Sequence, residues 1–372
     1  MLLSTMMDSL YANIQELGKQ KTWFLYLGLL FIVITLINGV GIVPEEPYQR
    51  LSENPFITRT DIHFRNNFQE TLLLPLVAFF LHLTSRLTFN VLCYVIIAFG
   101  YAVFAGYVYR RWGALPAMVF STLIITSPVT TILFTWLGMP DGLSVALAIP
   151  LLFTNSVPLI FVLAVLGSTN HVVFLISASE IIALRWLSRD GINFRQVLTM
   201  AVGGIVGILL LNAFLTSNQI EVAPRVGFLS SRSLWDWTKL NIAHLPLSLF
   251  SFFNTQWLAI IVSFIMFFKW DKRFYLSVSA LFLFNYIITF FSLDTTRIFV
   301  LLSLGIFMLC LFHSYELASS HPESVPEHQK QFIIAMIIVA AISIVSPRYF
   351  SWAGEIHATP FYEFIRQLVG LI

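Results

Sequence analysis

Residues 22–43, TWFLYLGLLFIVITLINGVGIV, run for 22 residues without one Asp, Glu, Lys, Arg or His. A helix needs about 20 apolar residues to cross the hydrocarbon core of a bilayer. No water there can pair with exposed peptide groups, so the segment must satisfy its own backbone as a helix. Comparable apolar runs recur as far as Pro347. The whole chain of 372 residues is 58% hydrophobic and 11% charged, with a mean hydropathy of +0.82. Soluble domains carry about 25% charged residues, so this composition requires lipid as the solvent. No run alternates as barrel strands do. The expected fold is all-α, a polytopic transmembrane helical protein forming one membrane domain over residues 22–347.

Upstream, residues 1–21 place Leu3, Met6, Met7, Leu10, Ile14 and Leu17 at helical spacing before Lys19 and Lys21. That pattern predicts an amphipathic helix on the cytoplasmic face. A cleaved leader fits poorly, because the following run is a full span and no small-x-small site follows it. Cys93 and Cys310 both sit in apolar runs and read as packing residues. The net charge of +2, without a basic stripe, speaks against a nucleic-acid partner.

Downstream, residues 44–87 form an external loop. Its apolar stretch 72–83 is only about a dozen residues long, so it predicts an embedded juxtamembrane helix and not a crossing. Further spans are expected at 90–109, 114–134, 143–154, 158–167, 171–187, 197–216, 246–268, 274–293, 298–317 and 332–345, making about 11 spans with the first. The short loops carrying Arg110 with Arg111, Arg185 with Arg189 and Arg195, and Lys269 with Lys272 and Arg273 then fall on the cytoplasmic side, as the positive-inside rule requires. Splitting 143–167 around Asn155 is decisive, since a single span there would reverse the side of every loop beyond it. Residues 348–372 become an external tail, and the expected location is a bacterial inner membrane with a cytoplasmic N-terminus.

Three polar clusters then share the external side. The first loop carries Glu45, Glu46, Tyr48, Arg50, Glu53, Arg59, Asp61, His63, Arg65 and Glu70. A turn at 138–142 carries Asp141, and a third cluster holds Asp294 and Arg297. Membrane-face carboxylates serve as bases for an acceptor hydroxyl, and arginines bind phosphate. Solvated loop charges and an Asp294–Arg297 pair across one helical turn are the plainer alternatives. Glu180 lies inside an apolar run, where an ionisable group is costly and so often functional; the plainer alternative is that it snorkels toward Arg185, about one turn away. His171, beside Asn170 at an outer span end, is a further candidate for binding phosphate. Neither a Cys/His metal spacing, a Walker-type phosphate loop nor a G-x-S-x-G elbow occurs.

In order and pattern, residues 23–187 resemble the GT-C superfamily of polyprenyl-phosphate-sugar glycosyltransferases. The resemblance rests on Pro44-Glu45-Glu46-Pro47-Tyr48 after the first span, on Leu72-Leu73-Leu74-Pro75-Leu76 and on Tyr109-Arg110-Arg111. Ser127-Pro128 and the turn ending at Asp141 complete it. It implies transfer of a sugar from a polyprenyl-phosphate donor to a glycan, lipid or protein acceptor on the external face. Glu45 or Glu46, or else Asp61, would be the catalytic carboxylate. Tyr48, Arg59, His63, Arg65, Asp141, His171, Asp294 and Arg297 would bind substrate, with Arg297 on the donor phosphate. No cofactor is expected, for the D-x-D pair that would hold a divalent metal is missing. No large C-terminal soluble domain follows, so acceptor recognition would fall to loop 217–245 and the tail. An O-antigen-type polymerase or ligase using Arg225 and Arg232, or a transporter or flippase, would share the membrane architecture.

Overall fold

The computed structural model describes residues 22–41, 47–60, 67–188, 190–222, 233–243, 245–290, 292–320 and 325–360. The expected N-terminal amphipathic helix lies outside the described residues, as do Glu45, Glu46, Asp61, His63, Arg65, Arg225 and Arg232.

Helices account for nearly all described structure. They are α1 (Trp23–Asn38), α2 (Pro47–Glu53), α3 (Leu73–Phe80), α4 (Arg86–Trp112), α5 (Ala114–Ile125), α6 (Pro128–Thr135), α7 (Asp141–Ala148), α8 (Val157–Asn170), α9 (Val172–Leu187) and α10 (Phe194–Ser217). The chain continues through α11 (Leu234–Ile242), α12 (Leu245–Phe253), α13 (Trp257–Phe267), α14 (Lys272–Thr289), α15 (Thr295–Ser320) and α16 (Val325–Val345).

Among the described residues, five helical segments are long and apolar enough to cross a membrane: α4, α10, α12 with α13, α15 and α16. Counting the bent pair α5 and α6 as one span makes six. Fewer segments than the expected 11 therefore reach full crossing length. Several of the others are interrupted or short. α7 gives way to a 3₁₀ turn at Ile149–Leu152, and α8 and α9 have 14 and 16 residues.

Each interruption has a local cause. Pro128 at the start of α6 has no N–H to continue the hydrogen-bond ladder, and Ser127 before it is pushed to extended geometry (ψ 159°). The result is a 48° bend between α5 and α6. Pro150 and Pro158 flank the break after α7. The short apolar helix expected at 72–83 is present as α3, eight residues long.

α15 is the spine. In its apolar window 89% of residues are buried, as expected for a helix that is hydrophobic on all sides. It packs on α9, α14, α16 and α13. α10 instead turns Leu198, Val202, Ile205 and Leu209 outward and lays Gly203, Gly204 and Gly207 against α8. Both cysteines are buried.

Polar contacts define two ends of the bundle. At one end Arg111 meets Asp190 (2.9 Å) and Glu316 (2.6 Å). At the opposite end of α15, Arg297 meets Asp141 and Asp294. α7 descends from the Arg297 end and α8 returns to it, because Asn170 at the tip of α8 donates to the Pro140 carbonyl at 3.0 Å.

The all-α expectation needs one correction. The segment expected as an external tail contains an antiparallel hairpin, β1 (Tyr349–Trp352) and β2 (Glu355–Ala358). Its two-residue turn, Ala353-Gly354, has φ of 53° and 83°, and positive φ at both central residues matches the twist of paired strands. The hairpin is docked at the Arg297 end: Ala353 N–H donates to the Leu293 carbonyl (2.7 Å) and Ser351 N–H to Thr296 Oγ1 (2.8 Å).

A side chain at Gly207 would have its Cβ 2.7 Å from the Val165 carbonyl oxygen, whereas a Cβ at Gly28 meets nothing within 4 Å. Gly207→Leu should therefore destabilise the protein by about 1–3 kcal/mol through overpacking, and Gly28→Ala should leave it unchanged. Thermal unfolding of the detergent-solubilised variants checks both.

Candidate functional site

The loop from Thr135 to Asp141 is anchored before any charge is placed. Gly41 N–H donates to the Phe134 carbonyl (2.9 Å) and Leu137 N–H to the Gly41 carbonyl (3.2 Å). No side chain fits at Gly41, where a Cβ would lie 2.2 Å from the Thr135 carbonyl oxygen. Asn170, fully buried, holds the other side of the loop through Pro140 O and Ser144 Oγ (2.9 Å). Asp141 is thereby fixed as the first residue of α7, where unpaired helix N–H groups favour a negative charge.

Arg297, in the first turn of α15, reaches across to it. Nε donates to Asp141 Oδ2 at 2.6 Å and Nη2 to Oδ1 at 3.2 Å, a two-point fork, while Nη1 donates to Asp294 Oδ2 at 2.8 Å. Side-chain exposure is 3% for Asp141, 8% for Arg297 and 24% for Asp294. One guanidinium and two carboxylates sum to a net charge of −1. Tyr48, buried on α2 with its ring edge-on to Phe68, is electrostatically coupled to Arg297.

The sequence-predicted residues divide accordingly. Asp141, Asp294 and Arg297 come together, with Tyr48 within electrostatic range of Arg297, and Asp141 shares the wall of a cavity with His171. That cavity runs between α7, α9 and α15 and is lined by Asp141, Ser144, His171 and Ser177 among apolar side chains. His171 caps α9, its Nδ1 accepting the Val173 N–H at 3.2 Å. Arg59 stands apart: Nη1 donates to the Arg50 carbonyl (2.9 Å) and lies 3.6 Å from Glu53. It organises the first loop around Gln69, whose Oε1 accepts the Arg59 N–H. Arg297, expected on a donor phosphate, spends three of its five N–H groups on carboxylates, one from each nitrogen, and keeps a second N–H on Nη1 and on Nη2.

Glu180 does not turn toward Arg185. Its Oε2 accepts from Asn285 Nδ2 at 3.1 Å, and Arg185 binds Asp190, the carbonyls of Leu151 and Thr154, and Asn155 Oδ1.

Sequence reasoning missed Arg348, buried just past the end of α16. It donates to the Ser343 carbonyl (2.9 Å), the Thr126 carbonyl (3.4 Å) and Asn38 Oδ1 (3.4 Å). Burial pushes its guanidinium down to about 10, with no carboxylate acting against that shift. The one signal was an arginine standing directly after a span-ending Ser346-Pro347. Asn241 and Thr296 were missed as well. Asn241 Oδ1 accepts from Thr295 Oγ1 at 2.9 Å, and Thr296 Oγ1 shares a hydrogen bond with Ser251 Oγ at 2.5 Å. Among the described residues no group of three His, Cys, Asp or Glu side chains stands close enough to hold a metal.

No known protein family, curated protein or solved structure matches this chain. Chemistry at the cluster therefore has to be argued from its own geometry. The fork fixes Asp141 and Arg297, and the partly exposed Asp294 is the exchangeable member.

Breaking a buried pair by removing one partner costs about 3–5 kcal/mol, because the other charge is left uncompensated. Asp141→Ala should lower thermal stability by that order, and Asp294→Asn by much less. Adding Arg297→Met to Asp141→Ala should restore part of the loss, which thermal unfolding of the double-mutant cycle measures.

Proposed function

We propose that the chain is a membrane glycosyltransferase of the GT-C kind, moving a sugar from a polyprenyl-phosphate donor to an acceptor hydroxyl at the Arg297 end of the bundle. The observation that carries this reading is the convergence of Asp141 with Asp294 and Arg297, from two segments distant in sequence, with Tyr48 of a third segment within electrostatic range. Glu46 precedes Tyr48 by two residues, which favours a first-loop carboxylate acting near the same cluster.

In this reading Glu45, Glu46 or Asp61 takes the proton of the acceptor hydroxyl. The oxygen attacks the anomeric carbon, and the bond to the donor phosphate breaks with its electron pair leaving on the phosphate. Arg297 stays forked to Asp141 and exchanges Asp294 for the phosphate, so the guanidinium meets charge as it develops. Because the free cluster is net negative, it repels a phosphate until that exchange occurs. Eleven helical passes, counting the short and broken helices, belong to the same proposal. So does a bacterial inner membrane whose cytoplasmic side is the Arg111 end. In support, Arg111, Arg185, Arg195, Lys272 and Arg273 lie at the ends of helices flanking short connections, away from Arg297.

Two experiments test this. Single cysteines at Glu221 and at Lys272 should be labelled by an impermeant thiol reagent from opposite sides, Glu221→Cys from outside and Lys272→Cys only after permeabilisation. Labelling of both from one side rejects the topology. For the chemistry, membranes are fed radiolabelled nucleotide sugars and the label is followed from the lipid-linked pool into product. At least one of Glu45→Gln, Glu46→Gln and Asp61→Asn should reduce transfer about 10²–10⁴-fold, with labelled lipid accumulating, and Arg297→Lys should do the same. Undiminished transfer in all four, at normal protein level, rejects the transferase.

A transporter or flippase is favoured by a different observation. Two interrupted helices meet where Gln256, in the 3₁₀ turn between α12 and α13, donates to the Leu123 carbonyl (2.5 Å) and to Thr126 Oγ1 (3.2 Å) beside the α5–α6 bend. Discontinuous helices form the substrate sites of many transporters. Translocation of lipid-linked sugar by proteoliposomes, unchanged by the four substitutions, would favour that reading.

A further inference from the structure

Midway along α9, three polar side chains from α9, α14 and α15 meet among apolar neighbours. Asn285 Nδ2 donates to Glu180 Oε2 and to Ser303 Oγ, both at 3.1 Å. Glu180 is 5% exposed and Asn285 and Ser303 are fully buried. Both N–H groups of the amide are thus used. What remains is a mismatch: Glu180 Oε1 and Asn285 Oδ1 are both buried with no hydrogen-bond partner. Two contacting side chains therefore present two orphaned acceptors and lack one donor. A buried acceptor left unsatisfied costs about 1–3 kcal/mol, and more when it is charged.

No cation stands near to offset a carboxylate. The titratable groups on neighbouring elements are Asp141 on α7, Arg195 on α10, Lys272, Arg273, Tyr275 and Tyr286 on α14, and Arg297, Cys310, His313, Tyr315 and Glu316 on α15; α8 carries none. Among the described residues none of them, nor Arg185 on the same helix, hydrogen-bonds or ion-pairs with Glu180, whose partner is Asn285.

We infer that Glu180 and Asn285 form a proton-binding site inside the bundle, the Glu180 carboxyl carrying a proton on Oε1 and pairing with the amide as two neutral groups. One added proton converts an orphaned acceptor into a donor, removes the uncompensated charge, and supplies the hydrogen that the neighbouring orphaned oxygen lacks. A sodium ion would also answer two bare oxygens. It needs a fuller oxygen shell than Glu180, Asn285 and Ser303 offer, so the proton is the ligand this geometry fits. The site lies one helical turn from Ser177, on the wall of the cavity that opens at Asp141, and is distinct from the Arg297 cluster.

Infrared spectroscopy on the reconstituted full chain, with isotope-labelled glutamate, reads the proton directly. A carboxylic-acid carbonyl band should be present at neutral pH in sodium-free buffer, be unaltered by sodium, be missing in Glu180→Gln and shift in Asn285→Leu. The second readout is stability against pH. A carboxyl protonated when folded and ionised when unfolded loses its stabilising effect as pH rises, whereas glutamine does not titrate. Glu180→Gln should therefore match the wild type in melting temperature below about pH 4, where the unfolded carboxyl is protonated too, and exceed it increasingly as pH rises above that. No acid band in the wild type, or a wild type that outlasts Glu180→Gln most at high pH, overturns the assignment. A band present in choline and lost on adding sodium overturns it in favour of a sodium site. Should Glu180→Gln fail to accumulate, loss of the labelled wild-type band at alkaline pH decides the same question.

Discussion

A helix that breaks inside an apolar bundle strands its last carbonyls where no water can reach them, and each one must be met by a donor from elsewhere in the chain. Among the described residues three such breaks are met by side-chain hydrogen bonds. Arg185, wholly buried, answers the end of the 3₁₀ turn after α7 through the Leu151 and Thr154 carbonyls. Arg348 and Gln256 answer the α5–α6 bend through Thr126 and Leu123. Asn254 closes the α12–α13 break against the backbone of Tyr349. The hairpin and the Arg348 segment are therefore structural parts of the membrane domain, holding broken helices from the Arg297 end.

The same constraint explains the placement of the charged cluster. Asp141 sits at a helix N-terminus, where the dipole and spare N–H groups welcome an anion. Arg297 sits at another N-terminus, where the dipole opposes a cation. The guanidinium is held there by two carboxylates, and the fork to Asp141 locks α7 to α15 across 156 residues of sequence. Asp294, three residues away and immediately before the same helix, is partly exposed and stabilises the arginine without burying itself.

Much of this was legible because helical passes reverse direction. Asp141 and Arg297 fall at the same end only when an even number of passes separates them, and dividing 143–167 at Asn155 supplies that parity. The 2.6 Å contact between the two side chains agrees with that division. The shortness of α3 was readable for a similar reason, since a dozen apolar residues cannot span. The breaks were not readable. Proline marks where a helix can fail, but whether it bends a span or ends it depends on donors such as Arg348 and Gln256, more than 120 residues away. Proximity in sequence also misled. Glu180 and Arg185 are five residues apart, yet they project toward different neighbours, α14 and the loop after α7. The hairpin was hidden because a four-residue strand leaves too short a pattern, and because its turn uses Ala353 at positive φ, a conformation alanine rarely signals.

Cations and anions are not equivalent guests in a helical bundle. Every helix end exposes carbonyls, and even a bonded carbonyl keeps a second lone pair, so Arg185 and Arg348 can be buried with backbone oxygens as their main company. A carboxylate needs donors, and a helix interior has none to spare because each N–H is already committed to the carbonyl four residues back. Spare N–H groups exist only in a helix's first turn. Asp141 stands at such a place, with an arginine added. Glu180 stands in the middle of α9, where the one donor offered is a side-chain amide already shared with Ser303. Two acids of the same bundle are thus met differently: the one at the helix start has spare N–H groups and an arginine, and the one at the helix centre has a single shared amide.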